Sequence, residues 1–200
     1  MNRRAMTKLF VTALIALSLG GCQPEANERL TGTDLTGAPI GGAFTLVDKD
    51  AKPVTWDQFQ GKYRIVYFGY SFCPDVCPVD VAVLMRGYDM FAKAHPALAE
   101  MVQPIFITVD PARDTPPVVG EFAAAFSPKL LGLTGTPGQV AAAIKAFRVY
   151  AAKGEASAGG YLMDHSRHAY LMDPQGKPIE VLPTDKGPEA VARDLGIAVK

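Results

Sequence analysis

Two cysteines four residues apart, Cys73 and Cys77, are the side chains of this sequence best suited to chemistry. They follow residues 65–68, an apolar run of strand length that is rich in β-branched and aromatic side chains and ends at Gly69. On a helix, a spacing of four places both sulfurs on one face. Pro74 suits the first helical turn, because its missing N–H would have no intrahelical partner there. The pattern predicts that both cysteines open a helix, whose dipole favours a thiolate at its N-terminus.

The third cysteine, Cys22, follows a segment typical of export signals. Three basic residues precede an apolar run at residues 9–19, which is too short to span a bilayer comfortably. The sequence Leu-Gly-Gly-Cys that ends at Cys22 resembles a bacterial lipobox, which implies cleavage before this cysteine and lipid attachment to it. The alternatives are an ordinary secretory signal or an uncleaved anchor. We therefore predict a lipoprotein signal peptide at residues 1–21, a polar tether at 22–40 and one domain at 41–200.

Export decides how the remaining cysteine pair is interpreted. An exported protein lies in an oxidising compartment, where Cys73 and Cys77 can form a disulfide. A purely structural disulfide is the weakest explanation, because a loop closed by residues four apart gains little stability. Redox chemistry or metal binding explains the pair better. The formal net charge of the chain is +0 and no basic stripe is present, so nucleic acid is not an expected partner.

The order of the predicted elements indicates an α/β fold built from packed layers. A hairpin at residues 43–56 comes first, strand–helix units follow, and a second hairpin and a helix close the chain. The other strands are predicted at residues 65–68, 101–109, 130–133, 161–172 and 179–182, and the helices at 79–94, 118–126, 137–147 and 188–195. A cysteine pair at the first strand-to-helix junction is typical of a thioredoxin-like fold, although the redox motif of that fold separates its cysteines by two residues rather than three.

Two cysteines make a poor closed metal site, so a third ligand is needed, and histidine is the obvious donor. The chain has three histidines. His165 follows a glycine-containing stretch that can carry its imidazole to the cysteines. His95 and His168 are expected to be ordinary loop residues. Thiolates favour Cu(I) and an added imidazole also accommodates Cu(II), but zinc fits two cysteines, a histidine and a water as well.

Three blocks of sequence, taken in order, closely resemble the Sco/SenC family. The blocks are FGYSFCPDVCP at residues 68–78, VDPARDTP at 109–116 and Asp-His-Ser at 164–166. The resemblance covers roughly residue 42 to the C-terminus. It implies a thioredoxin-like fold, with a central mixed β-sheet flanked by helices and an N-terminal β-hairpin. It also implies a membrane-tethered copper metallochaperone that binds Cu(I), Cu(II) or both through Cys73, Cys77 and His165.

The resemblance extends to partners and location. Family members help assemble the binuclear copper centre of cytochrome c oxidase, so the expected partners are the oxidase subunit that carries this centre and an upstream periplasmic copper carrier. The expected location is the periplasmic side of a bacterial membrane, with the lipid on Cys22 as the anchor. Such a protein is a metal donor rather than an enzyme. Asp75 and Asp164 are candidates for orienting a ligand, although Asp75 also suits the N-terminus of a helix.

Other functions use the same residues. A thiol–disulfide oxidoreductase that keeps the copper-ligand cysteines of the oxidase reduced would need Cys73 and Cys77 but not His165. A peroxidase of the same fold class would favour a single activated cysteine, and a copper-dependent redox sensor is a further alternative. In the second block, Arg113 and its acidic neighbours are expected to form an ion-paired loop near the site.

Overall fold

The computed structural model describes residues 29–155 and 160–200. Within these two ranges, the chain forms ten strands and five α-helices. In chain order the elements are β1 (Thr33–Asp34), β2 (Thr45–Val47), β3 (Pro53–Thr55), β4 (Tyr63–Gly69), α1 (Val76–Ala94), α2 (Pro96–Ala99), β5 (Val102–Thr108), α3 (Pro116–Phe126), β6 (Leu131–Leu133), α4 (Pro137–Ala146), β7 (Ala151–Lys153), β8 (Met163–His165), β9 (Ala169–Met172), β10 (Pro178–Val181) and α5 (Pro188–Ala198). Two 3₁₀ turns occupy Trp56–Phe59 and Thr184–Lys186.

A six-stranded mixed sheet in the order β1-β10-β9-β4-β5-β6 forms the centre of the molecule. Strands β4, β5 and β6 run parallel, whereas β9 is antiparallel to β4 and β10 is antiparallel to β9. Strands β2 and β3 form a separate hairpin near the N-terminus, and β7 and β8 form a second one. The predicted α/β class, with a mixed central sheet and an N-terminal hairpin, is confirmed.

Strand β4 lies in the middle of the sheet and leads directly to the cysteines. All seven of its residues are buried, which explains the continuous apolar run, because this strand has a neighbouring strand on each side and is covered on both faces. Its one charged residue, Arg64, stacks over Trp56 with 4.5 Å between the guanidinium carbon and the ring centroid. The strand ends at Gly69, where an added Cβ would lie 3.2 Å from the sulfur of Cys77. The end of β4 therefore packs against the cysteine pair.

Helix α1 starts later than the cysteine spacing suggests. It begins at Val76, so Cys77 lies in its first turn and Cys73 lies in the preceding loop. The prediction that Pro74 occupies the first turn is therefore wrong, and Pro78 lies there instead. A proline disfavours helical backbone at the residue before it, and Cys73, which precedes Pro74, lies outside the helix. The two sulfurs approach each other across the loop-to-helix junction.

The predicted strand at residues 161–172 is interrupted in the structure. Its first part, β8, pairs with β7, whereas its last part, β9, pairs with β4 in the central sheet. Strand β7 was not predicted, because its three residues lie on a partly exposed surface and show no apolar alternation. The break between β8 and β9 places His165 at the end of a short hairpin rather than inside the central sheet.

Only the last part of the predicted tether belongs to the residues that the structure describes. The predicted signal peptide, Cys22 and the first part of the predicted tether lie outside the described residues. Residues 31–40 lie against the domain, where β1 pairs with β10 and Asp194 accepts hydrogen bonds from Thr31 and Gly32. Within residues 29–155 and 160–200, no helix combines the length and the apolar character that crossing a membrane requires.

Candidate metal centre

Cys73 and Cys77 lie together at the carboxyl end of β4. Both are free thiols, with Cys77 fully buried and Cys73 9% exposed. The backbone N–H of Cys77 points at the sulfur of Cys73, 3.4 Å away. The loop that precedes them is fixed by Asp114, a fully buried residue that accepts hydrogen bonds from Ser71 and from the hydroxyl of Thr108. The loop geometry is therefore determined by buried polar contacts.

His165 completes this group of side chains. Its Nε2 lies 3.0 Å from the sulfur of Cys77, and its Nδ1 lies 2.9 Å from the carbonyl oxygen of Ser166. A carbonyl oxygen only accepts hydrogen bonds, so Nδ1 carries the ring proton and Nε2 keeps its lone pair towards Cys77. The rings of Tyr67 and Tyr70 contact the imidazole edge-on, with centroids 6.3 and 5.9 Å away. The imidazole is thus held in the tautomer that can bind a metal through Nε2.

The two thiols have opposite electrostatic environments. Burial opposes ionisation of Cys73, but backbone N–H groups of Cys77 and Asp75 and the side chains of Cys77 and Tyr70 outweigh it and lower the pKa of Cys73. Burial raises the pKa of Cys77 well above its usual range, and the nearby Cys73 adds to this effect. Burial lowers the pKa of His165, so the imidazole is neutral at pH 7. The site therefore combines one activated thiol, one protonated thiol and one neutral imidazole.

This asymmetry predicts different reactivities towards an alkylating reagent. At pH 7, iodoacetamide should modify Cys73 at least about tenfold faster than Cys77, because the thiolate is the nucleophile and Cys77 is both protonated and buried. Mass spectrometry of digests taken at successive times measures both rates, and Cys73→Ser should leave a protein that is modified slowly at Cys77. Equal rates, or faster modification of Cys77, would contradict the assignment.

A second group of contacts holds the hairpin that carries His165. Arg113 forms an ion pair with Asp110, donates through Nη1 to the carbonyl of Tyr161 at 2.9 Å and stacks on its ring at 3.7 Å. The hydroxyl of Tyr161 donates to the carboxylate of Asp110 at 2.9 Å. The expected ion-paired loop beside the site is confirmed, and it contacts the chain that leads into β8.

Three residues of the site were not singled out in the sequence. Asp80 is buried, accepts a hydrogen bond from the hydroxyl of Tyr67 and forms an ion pair with Arg167. The spacing of Asp80 and Arg167 from the candidate ligands was visible in the sequence, although their contact with each other was not. Asp80 follows Cys77 by three residues, which places it one helical turn away on the same side of α1. Arg167 follows His165 by two residues.

The remaining candidates lie at the surface. Asp75 is the residue just before α1, is exposed and makes no capping hydrogen bond through its side chain. Asp164 is also exposed. Their roles in orienting a ligand stay predictions. His95 ends α1 and contacts Phe91, and His168 is exposed, so both lie where ordinary loop histidines are expected.

The donor set suits a soft metal ion. Two sulfurs and an imidazole nitrogen with a free lone pair meet in a largely buried site, and this combination favours copper or zinc over hard cations. In the described part of the chain, no three His, Cys, Asp or Glu side chains already stand at metal-binding spacing. Metal binding would therefore replace the Cys77–His165 hydrogen bond and draw in the sulfur of Cys73.

Comparison with known proteins connects this geometry to a family. The family model described as SCO1/SenC matches residues 32–200. Protein SenC of Rhodobacter capsulatus is 44% identical over 165 residues, which cover 82% of this chain and 73% of that protein.

Solved structures agree with this result. The structure of Bradyrhizobium japonicum ScoI with copper bound superposes with a TM-score of 0.71 at 39% identity and covers 78% of this chain and 98% of that one. A more distant structure, that of BsSco, is described as a member of the Sco family of cytochrome c oxidase assembly proteins. It has a TM-score of 0.58 at 22% identity, covers 86% of this chain and 98% of that one, and bears on the fold alone. The predicted thioredoxin-like fold is confirmed.

Proposed function

The chain belongs to the SCO1/SenC family, and we propose that it is a copper metallochaperone whose ligands are Cys73, Cys77 and His165. The observation that carries this proposal is the position of His165, whose Nε2 lies 3.0 Å from the sulfur of Cys77 with Nδ1 occupied by a carbonyl. The copper-bound Bradyrhizobium japonicum ScoI supports the choice of copper over zinc, because it shares 39% of its sequence with this chain.

The ligand set suits transfer of copper rather than permanent storage. Thiolates stabilise Cu(I), and the imidazole lets the same site accept Cu(II). Three protein ligands leave a position open to a ligand from an acceptor, so copper can pass on by stepwise ligand exchange. Cys73 is partly exposed whereas Cys77 is fully buried, and we therefore place the exchange on the Cys73 side.

We further propose that lipid on Cys22 anchors the domain to the periplasmic side of a bacterial membrane. There it would receive copper from a periplasmic carrier and deliver it to the copper-centre subunit of cytochrome c oxidase. The lipobox-like sequence and the family membership support this arrangement. Because residues 31–40 pack against the domain, we propose that the segment before Thr31 connects the domain to the anchor.

One observation favours a second function. An activated thiol beside a buried, protonated one is the arrangement that thiol–disulfide exchange requires. The same domain could therefore reduce the copper-ligand cysteines of the oxidase. That activity depends on the two thiols alone, whereas tight copper binding depends on His165 as well.

Copper titration tests the three-ligand site. The full-length chain in mild detergent, with Cys22→Ser to remove the third thiol, is titrated with Cu(I) under argon against a chromogenic chelator. His165→Ala should weaken binding at least tenfold (about 1.4 kcal/mol), because a two-sulfur site lacks the nitrogen ligand. His168→Ala is the matched control, since this exposed histidine should leave binding unchanged. Equal affinities of the parent and His165→Ala would overturn the ligand assignment.

A further inference from the structure

The hairpin that carries His165 is not part of the central sheet. Strands β7 and β8 form their own two-stranded sheet, and the chain joins the central sheet only at β9. Backbone pairing with the central sheet therefore does not fix the distance between His165 and the cysteines. Contacts between side chains must supply part of that constraint.

The ion pair between Asp80 and Arg167 links the hairpin to helix α1. Arg167 donates through Nε to Oδ2 of Asp80 at 2.9 Å and through Nη2 to Oδ1 at 2.6 Å. The guanidinium thus contacts both carboxylate oxygens, the most directional pairing available to these side chains. The Asp80 side chain is 5% exposed and that of Arg167 is 53% exposed.

The same network reaches the imidazole from a second side. Tyr67 donates its hydroxyl to Oδ2 of Asp80 at 2.9 Å, and its ring contacts the ring of His165 edge-on. Asp80 is therefore joined to the histidine twice: through Tyr67, and through Arg167 two residues further along the chain. Both connections start from the turn of α1 that follows Cys77.

We propose that the Asp80–Arg167 ion pair is the positioning device that holds His165 against Cys77 before copper arrives. This inference rests on the proposed copper function. Arg167 is a positioning residue, because it contacts neither sulfur and acts through the backbone that it shares with His165. Without the ion pair, the imidazole must be ordered when copper binds, and the entropic cost of this ordering lowers the affinity.

The contribution of the ion pair to affinity can be separated from its contribution to stability. Arg193 also pairs with a buried aspartate, Asp194, through a single 3.3 Å contact, with side chains 45% and 0% exposed. This pair lies on α5, far from the cysteines in sequence. Arg193→Leu therefore makes the same chemical change at a second buried aspartate. Both Arg→Leu variants should lower thermal stability, and only Arg167→Leu should change the site.

The experiment compares Arg167→Leu in two backgrounds, with the full-length Cys22→Ser chain as the parent. With His165 present, Arg167→Leu should weaken Cu(I) binding about tenfold, the lower range found when a residue that orients a metal ligand is removed. With His165→Ala, the same substitution should change affinity less than twofold, because no imidazole is left to position. Arg167→Lys keeps the charge but not the paired contacts and should recover only part of the affinity.

A second readout needs no copper. Backbone amides of β7 and β8 should exchange hydrogen faster in Arg167→Leu than in the parent or in Arg193→Leu, since the hairpin opens more often. Asp80→Asn should reproduce both effects without leaving a buried carboxylate unpaired, so the test survives if Arg167→Leu folds poorly.

The outcomes separate the two proposals. If His165→Ala does not weaken copper binding, the proposed function fails, and hydrogen exchange alone then decides the role of the ion pair. If His165→Ala weakens binding but Arg167→Leu does not, or weakens it equally in both backgrounds, the positioning role is overturned. Unchanged exchange in the hairpin would overturn it as well.

Discussion

Glu180→Gln is expected to remove a loss of stability that we predict for the parent protein between about pH 4.5 and 8. Glu180 lies in β10, is fully buried, and neither carboxyl oxygen has a hydrogen-bond partner among the described residues. Burial, to which the nearby Asp194 adds, raises its pKa from 4.5 to about 8. Between about pH 4.5 and 8, therefore, this carboxyl group is protonated in the folded protein but ionised in the unfolded chain.

The sign of the pH dependence follows from proton linkage. Below pH 4.5 both states hold the proton and the stabilisation is complete. As the pH rises towards 8 the unfolded state releases the proton and the folded state retains it, so the free energy of unfolding falls. The full loss is about 5 kcal/mol, because the pKa differs between the two states by about 3.5 units and each unit corresponds to 1.36 kcal/mol. Glutamine keeps the shape without the titration, so Glu180→Gln should be the more stable protein at pH 8.

Urea unfolding at pH 5, 6, 7 and 8 measures this difference directly. The comparison is between parent and variant at each pH, because Asp114, whose pKa is also raised by burial, contributes to both proteins alike. Glu121→Gln, at an exposed position of α3, is the matched control. Its free energy of unfolding should change with pH in the same way as that of the parent. A Glu180→Gln profile parallel to the parent would show that this carboxyl does not titrate between the two states.

Glu180 also shows what the sequence could not reveal. An isolated glutamate in a short strand is normally placed at the surface, because carboxylates are rarely buried. Only the approach of β1, β10 and α5 buries it. The same holds for Asp80, Arg167 and Tyr67, whose contacts join β4, α1 and the residues between β8 and β9. Contacts between distant segments leave no local pattern.

The parts that the sequence did predict are those that follow from local rules. The central strand follows from a continuous apolar run, and α4 follows from Thr136, which caps the helix together with Gln139 and precedes a proline at the first position. The start of α1 was predicted too early. Two cysteines four residues apart can both lie in a helix, but one can also lie in the preceding loop and face the first turn, as Cys73 does. The choice of His165 over the other two histidines came from its place after a glycine-containing stretch and was strengthened by the family resemblance, whereas its contact with Cys77 was found only in the structure.

Cys77→Ser should weaken Cu(I) binding by at least about a hundredfold (about 2.7 kcal/mol), the largest change expected for a single ligand. Cys77 lies at the centre of the site. It is fully buried, contacts His165 and packs against Gly69 at the end of β4. Copper must displace the proton of this thiol, and a thiolate provides a soft, charged ligand in return. A serine hydroxyl is a hard donor that keeps its proton at neutral pH, so the pocket would hold one sulfur and one imidazole.

This substitution also distinguishes the two proposed functions when it is compared with His165→Ala. Cys77→Ser should strongly weaken copper binding and abolish formation of the Cys73–Cys77 disulfide, whereas His165→Ala should weaken copper binding and leave the disulfide. Cu(I) competition and a redox titration of the thiols measure the two properties in variants of the Cys22→Ser parent, which already carries the same exchange outside the site. A variant that lacks Cys77 but binds copper as tightly as the parent would contradict the site. Loss of the disulfide in His165→Ala as well would contradict the premise that thiol exchange depends on the two thiols alone, and this comparison would then not separate the two functions.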